Sequence, residues 1–135
     1  MRDIVKWPRI KKEKPKLWHG LRLPLAILMI RGEVWWANFD PSVVGEIRKV
    51  RPAVIISNNS ANRYLNRVQV VPLSSNVKRL YPSEVLVFLR SKPNKAMTDQ
   101  LTTISKLRIT NFIGCLSEPD MTRTGHAMMI HLSLR

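Results

Sequence analysis

Between Gly32 and Phe39 the apolar and aromatic residues Val34, Trp35, Trp36 and Phe39 are mixed with polar Glu33 and Asn38, a β-branched and aromatic composition that predicts a strand. Asp40-Pro41-Ser42 ends it, because Pro41 has no amide to donate and holds its own φ. A loop runs on to about Val50. It brings Glu46, Arg48, Lys49 and Arg51 within six positions before Pro52-Ala53-Val54-Ile55-Ile56 turns apolar, as a buried strand does. A charged loop held between two anchored strands is a common way to present catalytic or binding groups.

The pattern continues in short pieces. Ser57-Asn58-Asn59-Ser60 is a turn signal, and Ala61 to Arg67 reads either as loop or as a short helical turn that adds Arg63 and Arg67. Val68-Gln69-Val70-Val71 predicts a strand closed by Pro72, with Leu73-Ser74-Ser75-Asn76 as its polar end and Val77 to Pro82 as a linker carrying Lys78 and Arg79. Glu84 to Leu89 is nearly all apolar, which predicts a central strand. Lys95 to Ile104 reads as one strand or two short ones. Within it Asp99 sits among apolar neighbours, a costly place for a carboxylate unless it is paired. Lys106 to Ile109 alternates charge, and Gly114 interrupts the pattern.

The clearest helix closes the chain. Ser117 suits the N-cap and Pro119 the first turn, while Asp120, three residues on, completes a capping-box-like arrangement. Met121, Gly125, Met128 and Leu132 share one face, and Gly125 would permit close approach to a sheet. The count is five or six strands and one C-terminal helix, without βαβ alternation, a glycine-rich phosphate loop or a repeat. The expected fold is mainly β (α+β), a small, mostly antiparallel barrel with the helix packed at one side.

Composition changes this picture in two ways. At 135 residues with 44% hydrophobic residues and four Trp, the chain is long enough for one domain with a real core. The formal net charge of +14, from 23 Lys plus Arg against nine Asp plus Glu, calls for a polyanionic partner, nucleic acid first, with binding that weakens as salt rises. Residues 1–28 hold eight basic and two acidic residues and read as an extended basic arm; residues 29–135 hold fifteen and seven and are basic on their own. Leu21 to Ile30 is apolar but contains Arg22 and Pro24, lacks a small-residue cleavage pattern and is too short to span a membrane, so neither a secretory signal nor a membrane contact is expected. Met29 offers a second start of translation, which an intact mass of the native protein would reveal. A single cysteine, Cys115, excludes an internal disulfide and points to a reducing cytoplasm. His126 and His131 are five apart, off the spacing of a shared helical metal face, so no metal and no cofactor is expected.

A basic barrel of this kind can act on RNA, which carries its own nucleophile, the 2'-hydroxyl. Cleavage needs a base for that hydroxyl, an acid for the leaving 5'-oxygen, and donors around the charge of the phosphorane. Glu46, Arg51 and Ser74 supply a carboxylate, a planar guanidinium and a hydroxyl, with Asp99 as a fourth candidate. Three of these also have a plainer reading: Ser74, like Ser75, satisfying local backbone, Glu46 in a salt bridge that holds the loop, and Asp99 in a buried ion pair.

In sequence order, Arg31-Gly32-Glu33-Val34-Trp35, Phe39-Asp40-Pro41, Gly45-Glu46 and Arg51-Pro52-Ala53-Val54-Ile55 resemble the opening of the MazF/PemK toxins of bacterial type II toxin-antitoxin pairs. Asn62-Arg63, Val71-Pro72-Leu73-Ser74-Ser75 and Asp99-Gln100-Leu101-Thr102-Thr103-Ile104 are similar to later family motifs in the same order, so the resemblance covers residues 29–135. It implies a homodimeric SH3-like barrel that cleaves single-stranded RNA at short sequence motifs without metal, leaving a cyclic phosphate. Arg51 matches the family's catalytic arginine and Ser74 its catalytic threonine, with the hydroxyl kept and a methyl lost; Glu46 matches a recurrent site glutamate, and Thr102 stands where the family has an arginine. RNA contacts are expected from Arg48, Lys49, Arg63, Ser75, Lys78, Arg79 and Gln100. The implied partners are single-stranded RNA and an acidic antitoxin with a segment that folds on binding, with DNA reached only through the antitoxin complex. The rival readings are a non-catalytic nucleic-acid-binding barrel and a CcdB-like gyrase poison. The second would need a Trp-Gly-Ile tail, whereas this sequence ends Leu132-Ser133-Leu134-Arg135.

Overall fold

Strand formation follows the apolar runs, but their pairing follows a register that the runs do not contain. A computed structural model describes residues 29–134; the basic arm expected at 1–28 and Arg135 lie outside them. The elements are β1 (Glu33–Asn38), β2 (Val50–Ile55), α1 (Asn59–Tyr64), β3 (Arg67–Ser74), β4 (Glu84–Leu89), β5 (Lys92–Met97), β6 (Thr102–Ser105), β7 (Ile109–Cys115) and α2 (Glu118–His131), with 3-10 turns at Thr98–Gln100 and Lys106–Arg108. The strands form one antiparallel sheet in the order β4-β5-β3-β2-β1-β7, and β6 pairs with the first half of β3. The sheet curls into a half-barrel, so the mainly β, antiparallel architecture with a C-terminal helix holds. No helix among the described residues is long and apolar enough to cross a membrane.

Period two along β1, β2 and β3 divides the core. Trp35, Ala37, Ala53, Ile55, Val68 and Val70 point into one apolar cluster together with Met29 and Phe39. Val34, Val54, Val71 and Leu73 point into a second cluster with Val87, Leu89 and Ala96, against which Met121 and Met128 of α2 pack.

Several expectations are corrected. The described residues hold seven strands, because Lys95–Ile104 is broken by the 3-10 turn and Ile109–Cys115 is a strand of its own. Gly114 does not end that strand; it pairs with Val34, and irregularities in the β1–β7 register beside it absorb the bend. Pro72 does not close β3 but sits within it, buried opposite Ala53. There the other edge of β3 passes from Thr102, opposite Val70, to Ala96, opposite Leu73, so the missing amide falls where that edge has no partner. β4 is an edge strand and not central. Its amide edge is covered by α2, whose Asp120 carboxylate accepts from the Phe88 amide at 2.9 Å.

The helix ends follow local chemistry. Asn58 caps α1 by accepting from the Ala61 amide at 2.8 Å, so the turn signal contains the start of a short helix. Ser117 caps α2 by accepting from the Asp120 amide at 3.2 Å. Asp120 does not complete a capping box: its carboxylate is buried and engaged by Phe88 and Arg123. A Cβ at Gly125 would meet nothing within 4 Å, so that glycine serves no close approach, and Leu132 is exposed.

Lys106, read from sequence as one charge in an alternating run, is buried and donates its ammonium to the Asn62 carbonyl. Asn62 in turn donates to the Ser57 carbonyl at 2.8 Å, and the Ser57 hydroxyl accepts from the Gln69 amide at 3.1 Å. The network ties α1 to β3 and to the β6–β7 turn. Burial pushes the Lys106 ammonium down from 10.5 to about 8. The unfolded chain therefore holds this proton to higher pH than the folded one, and the cost of burying the charge, fully present below about pH 8, is relieved as pH rises towards 10.5. The melting temperature of the wild type is expected to rise relative to Lys106→Met across that interval; parallel curves would contradict it.

Candidate active site

Arg51 is the second residue of β2, and Ser74 the last of β3. The strands pair antiparallel with Ala53 opposite Pro72, so Arg51 and Ser74 stand two residues further along each strand at the same level. Alternation also gives them the same face, since Arg51 is in step with Ala53 and Ile55, and Ser74 with Val68 and Val70, all on the first cluster's side. The half-buried Arg51 donates from Nε to the Arg48 carbonyl at 3.1 Å, which turns its guanidinium along the loop base. Ser74 Oγ accepts from the Asn76 amide at 3.2 Å, the local use expected of a strand-end serine. That contact occupies a lone pair and leaves the hydroxyl proton for another acceptor.

The loop between β1 and β2 is clamped at three levels. At its base Asp40 Oδ1 accepts from the Lys49 amide at 2.9 Å, the Phe39 amide donates to the Lys49 carbonyl at 2.9 Å, and Arg108 donates to the carbonyls of Asn38 and Asp40. Midway, Gln100 Nε2 donates to the Gly45 carbonyl at 3.0 Å while its Oε1 accepts from the Ile47 amide at 3.2 Å, so both amide atoms bracket Glu46. At the tip Glu46 Oε1 accepts from the Val43 amide at 2.6 Å. Among the described residues Glu46 enters no ion pair; its loop-holding contact is this amide, not a salt bridge.

Beside this loop lies a groove of about 450 Å³ with Phe39, Ile47 and Ile104 among its apolar walls and Glu46, Asp99 and Gln100 among its polar ones. Asp99 is exposed on the 3-10 turn, so it carries no burial cost and the expected buried ion pair is absent among the described residues. Thr102 lines the groove as the first residue of β6. Arg51 and Ser74 do not line it; they share the face of the sheet from which it opens, since Phe39 and Ile104 belong to the cluster beneath. Arg48, Lys49, Ser75, Lys78 and Arg79 are all exposed, the first two on the loop and the last three beyond Ser74. Arg63 is exposed on α1, stacked 5.7 Å over Tyr64.

Two residues of the site escaped the sequence reading. Arg108 pins the loop base through carbonyls 68 and 70 residues away. Lys95 lies opposite Ser74 in the β3–β5 ladder and is buried against Glu84, Nζ to Oε1 at 3.0 Å. In sequence Lys95 follows Pro93-Asn94 and looks like any turn lysine; only its hairpin partner distinguishes it.

A family described as PemK-like, MazF-like toxin of type II toxin-antitoxin system matches residues 30–132. Endoribonuclease MazF9 of Mycobacterium tuberculosis is 33% identical over 116 residues, covering 79% of this chain and 98% of that protein. Endoribonuclease EndoA of Bacillus subtilis is 26% identical over 113 residues, with 80% and 97% covered. Among solved structures, an endoribonuclease in complex with its cognate antitoxin from a mycobacterial species superposes with a TM-score of 0.66 at 23% identity, over 78% of this chain and 96% of that one.

Proposed function

The chain belongs to the PemK-like, MazF-like toxin family of type II toxin-antitoxin systems, and on that premise we propose that it is a metal-independent endoribonuclease that cuts single-stranded RNA, mRNA included, at short sequence motifs. The 2'-hydroxyl attacks the adjacent phosphorus, the bond to the 5'-oxygen breaks, and a 2',3'-cyclic phosphate and a 5'-hydroxyl result. Arg51 binds the phosphate oxygens and stabilises the phosphorane, as a planar fork suits. Ser74 donates its free hydroxyl proton to the same oxygens. Glu46, held over the groove by Gln100, takes the 2'-hydroxyl proton, the leaving 5'-oxygen takes up a proton from water to become the 5'-hydroxyl, and Asp99 on the facing turn is the second carboxylate of the site. Arg48, Lys49, Arg63, Ser75, Lys78 and Arg79 hold the RNA strand.

The observation that carries this reading is the matched register of Arg51 and Ser74, on one face of neighbouring strands, beside a groove that holds Glu46. Cleavage of a long RNA in EDTA tests it. The wild type should release fragments with cyclic phosphate ends, and Ser74→Ala should lower kcat/KM by about tenfold to a hundredfold, one lost hydrogen bond to a charged group being worth roughly 1.5–3 kcal/mol. No fragments from the intact protein would favour the non-catalytic RNA-binding barrel.

The same reading carries the partners. A similar mycobacterial endoribonuclease has been solved in complex with its cognate antitoxin; for this chain an antitoxin with an acidic segment would neutralise the excess of basic residues, and DNA would be reached only through that complex. Phe112, 49% exposed on β7 beside the Trp35 ring, is an apolar surface that a homodimer would cover, and light scattering of the isolated protein would read the dimer as twice the chain mass.

A further inference from the structure

Beyond Ser74 the chain runs through an exposed loop, residues 75–83, before β4 begins at Glu84. The loop carries two cations, Lys78 and Arg79, and two exposed apolar side chains, Leu80 and Tyr81. A loop of this composition has little apolar area with which to hold itself, yet it is tied down on one side by buried polar groups. Lys95 Nζ donates to the Arg79 carbonyl at 3.1 Å and to Glu84 Oε1 at 3.0 Å, and it lies 5.7 Å from the centre of the Tyr81 ring. Glu84 Oε1 also accepts from the Tyr81 amide at 2.9 Å, and the Glu84 amide donates to the Tyr81 carbonyl at 2.8 Å. The two charged side chains are only 11% and 7% exposed.

This is an expensive way to hold a turn. A buried ion pair recovers at best most of its desolvation cost, and apolar residues of the same volume would hold β4 to β5 as well or better. What apolar residues could not do is bind a loop carbonyl and a loop amide at once. The register adds the link to the chemistry: Lys95 is the cross-strand partner of Ser74, so its side chain rises on the same face of the sheet, within about 5 Å at Cβ. The anchored loop is therefore placed beside the hydroxyl that the proposed reaction uses.

We propose that the Lys95–Glu84 pair is a positioning latch which holds the 75–83 loop beside Ser74 and thereby sets which RNA sequences are cut. Lys95 and Glu84 touch neither the RNA nor the reacting atoms. They act through the backbone of Arg79 and Tyr81, which fixes where the Lys78 and Arg79 side chains meet the strand. The inference rests on the endoribonuclease reading and adds to it a determinant of cut-site choice.

The test uses the full chain and the double variant Lys95→Met/Glu84→Gln, which leaves no unpaired buried charge and keeps an acceptor for the Tyr81 amide. Trypsin cuts after Lys78 and Arg79, so its rate there reports the loop without reference to RNA. The expected result is at least tenfold faster cleavage at those two bonds with a melting temperature near that of the wild type, together with a broadened set of cut sites when the 5' ends of RNA fragments are sequenced. Unchanged trypsin resistance would overturn the latch. A loosened loop with an unchanged set of cut sites would overturn its role in specificity. An inactive wild type would overturn the endoribonuclease reading instead, leaving the trypsin result to stand for the latch alone. Should the double variant fail to fold, hydrogen exchange of the wild type decides: the Tyr81 amide should exchange as slowly as those of β4, and rapid exchange there would overturn the proposal.

Discussion

Replacing Arg51 by Ala should cost RNA cleavage a factor of about 10² to 10³ in kcat/KM while leaving the fold intact. The factor is that of removing one preorganised donor from a developing oxyanion, roughly 2.7–4 kcal/mol of transition-state stabilisation. The fold survives because, among the described residues, the Arg51 side chain makes one hydrogen bond, from Nε to the Arg48 carbonyl, and a bond of that kind is worth about 1 kcal/mol. Arg51→Lys should fall between the two. It keeps the charge but presents a point where the phosphate oxygens call for a fork. Rates on a short RNA containing the cut motif, measured below saturation and paired with a melting curve for each variant, check this. An Arg51→Ala protein that cleaves like the wild type would remove Arg51 from the site.

The second large effect is on stability. Glu84→Ala should destabilise the protein by about 3–5 kcal/mol, the range found when one partner of a buried ion pair is removed and the other is left behind. Here the residue left behind is Lys95, 11% exposed on its side chain, still bonded to the Arg79 carbonyl but without its counter-charge. The Tyr81 amide loses its acceptor in the same step. Urea unfolding should show the midpoint falling with the slope unchanged. A shift below about 1 kcal/mol, the value of an exposed pair, would mean that water reaches the Lys95 ammonium.

Both effects come from residues whose importance was unequally visible beforehand. Arg51 stands out in sequence as the last cation before an apolar run, and the family resemblance names it. Lys95 and Glu84 stand out in neither way. They are eleven positions apart in the chain, and their contact exists because β4 and β5 form a hairpin with Leu86 opposite Lys95. Arg108 is a similar case, since it acts on the loop from 68 residues away. Gln100 was expected as an RNA contact, and only the structure shows that it clamps this loop from 55 residues away. Asp99 illustrates the reverse error. Its apolar neighbours in sequence suggested burial, but a 3-10 turn places successive side chains in different directions, and Asp99 faces solvent while Thr98 is buried.

What the amino-acid sequence determined by itself is what depends on near neighbours and on sums. Apolar, β-branched and aromatic runs mark the strands, Asn58 and Ser117 start the helices through their own side chains, the basic excess calls for a polyanion, and the ordered motifs identify the family. What only the tertiary structure decided is which distant groups meet. That includes the shared level of Arg51 and Ser74, the clamp of Gln100 on the loop around Glu46, and the burial of Lys95, Glu84, Lys106 and Asp120. The physical reason is that a cross-strand partner is set by register, so a shift of one residue would send Arg51, Ser74, Glu84 and Lys95 to the opposite face, while Gln100, Lys106 and Asp120 sit on turns and a helix that meet their partners only once the sheet is folded.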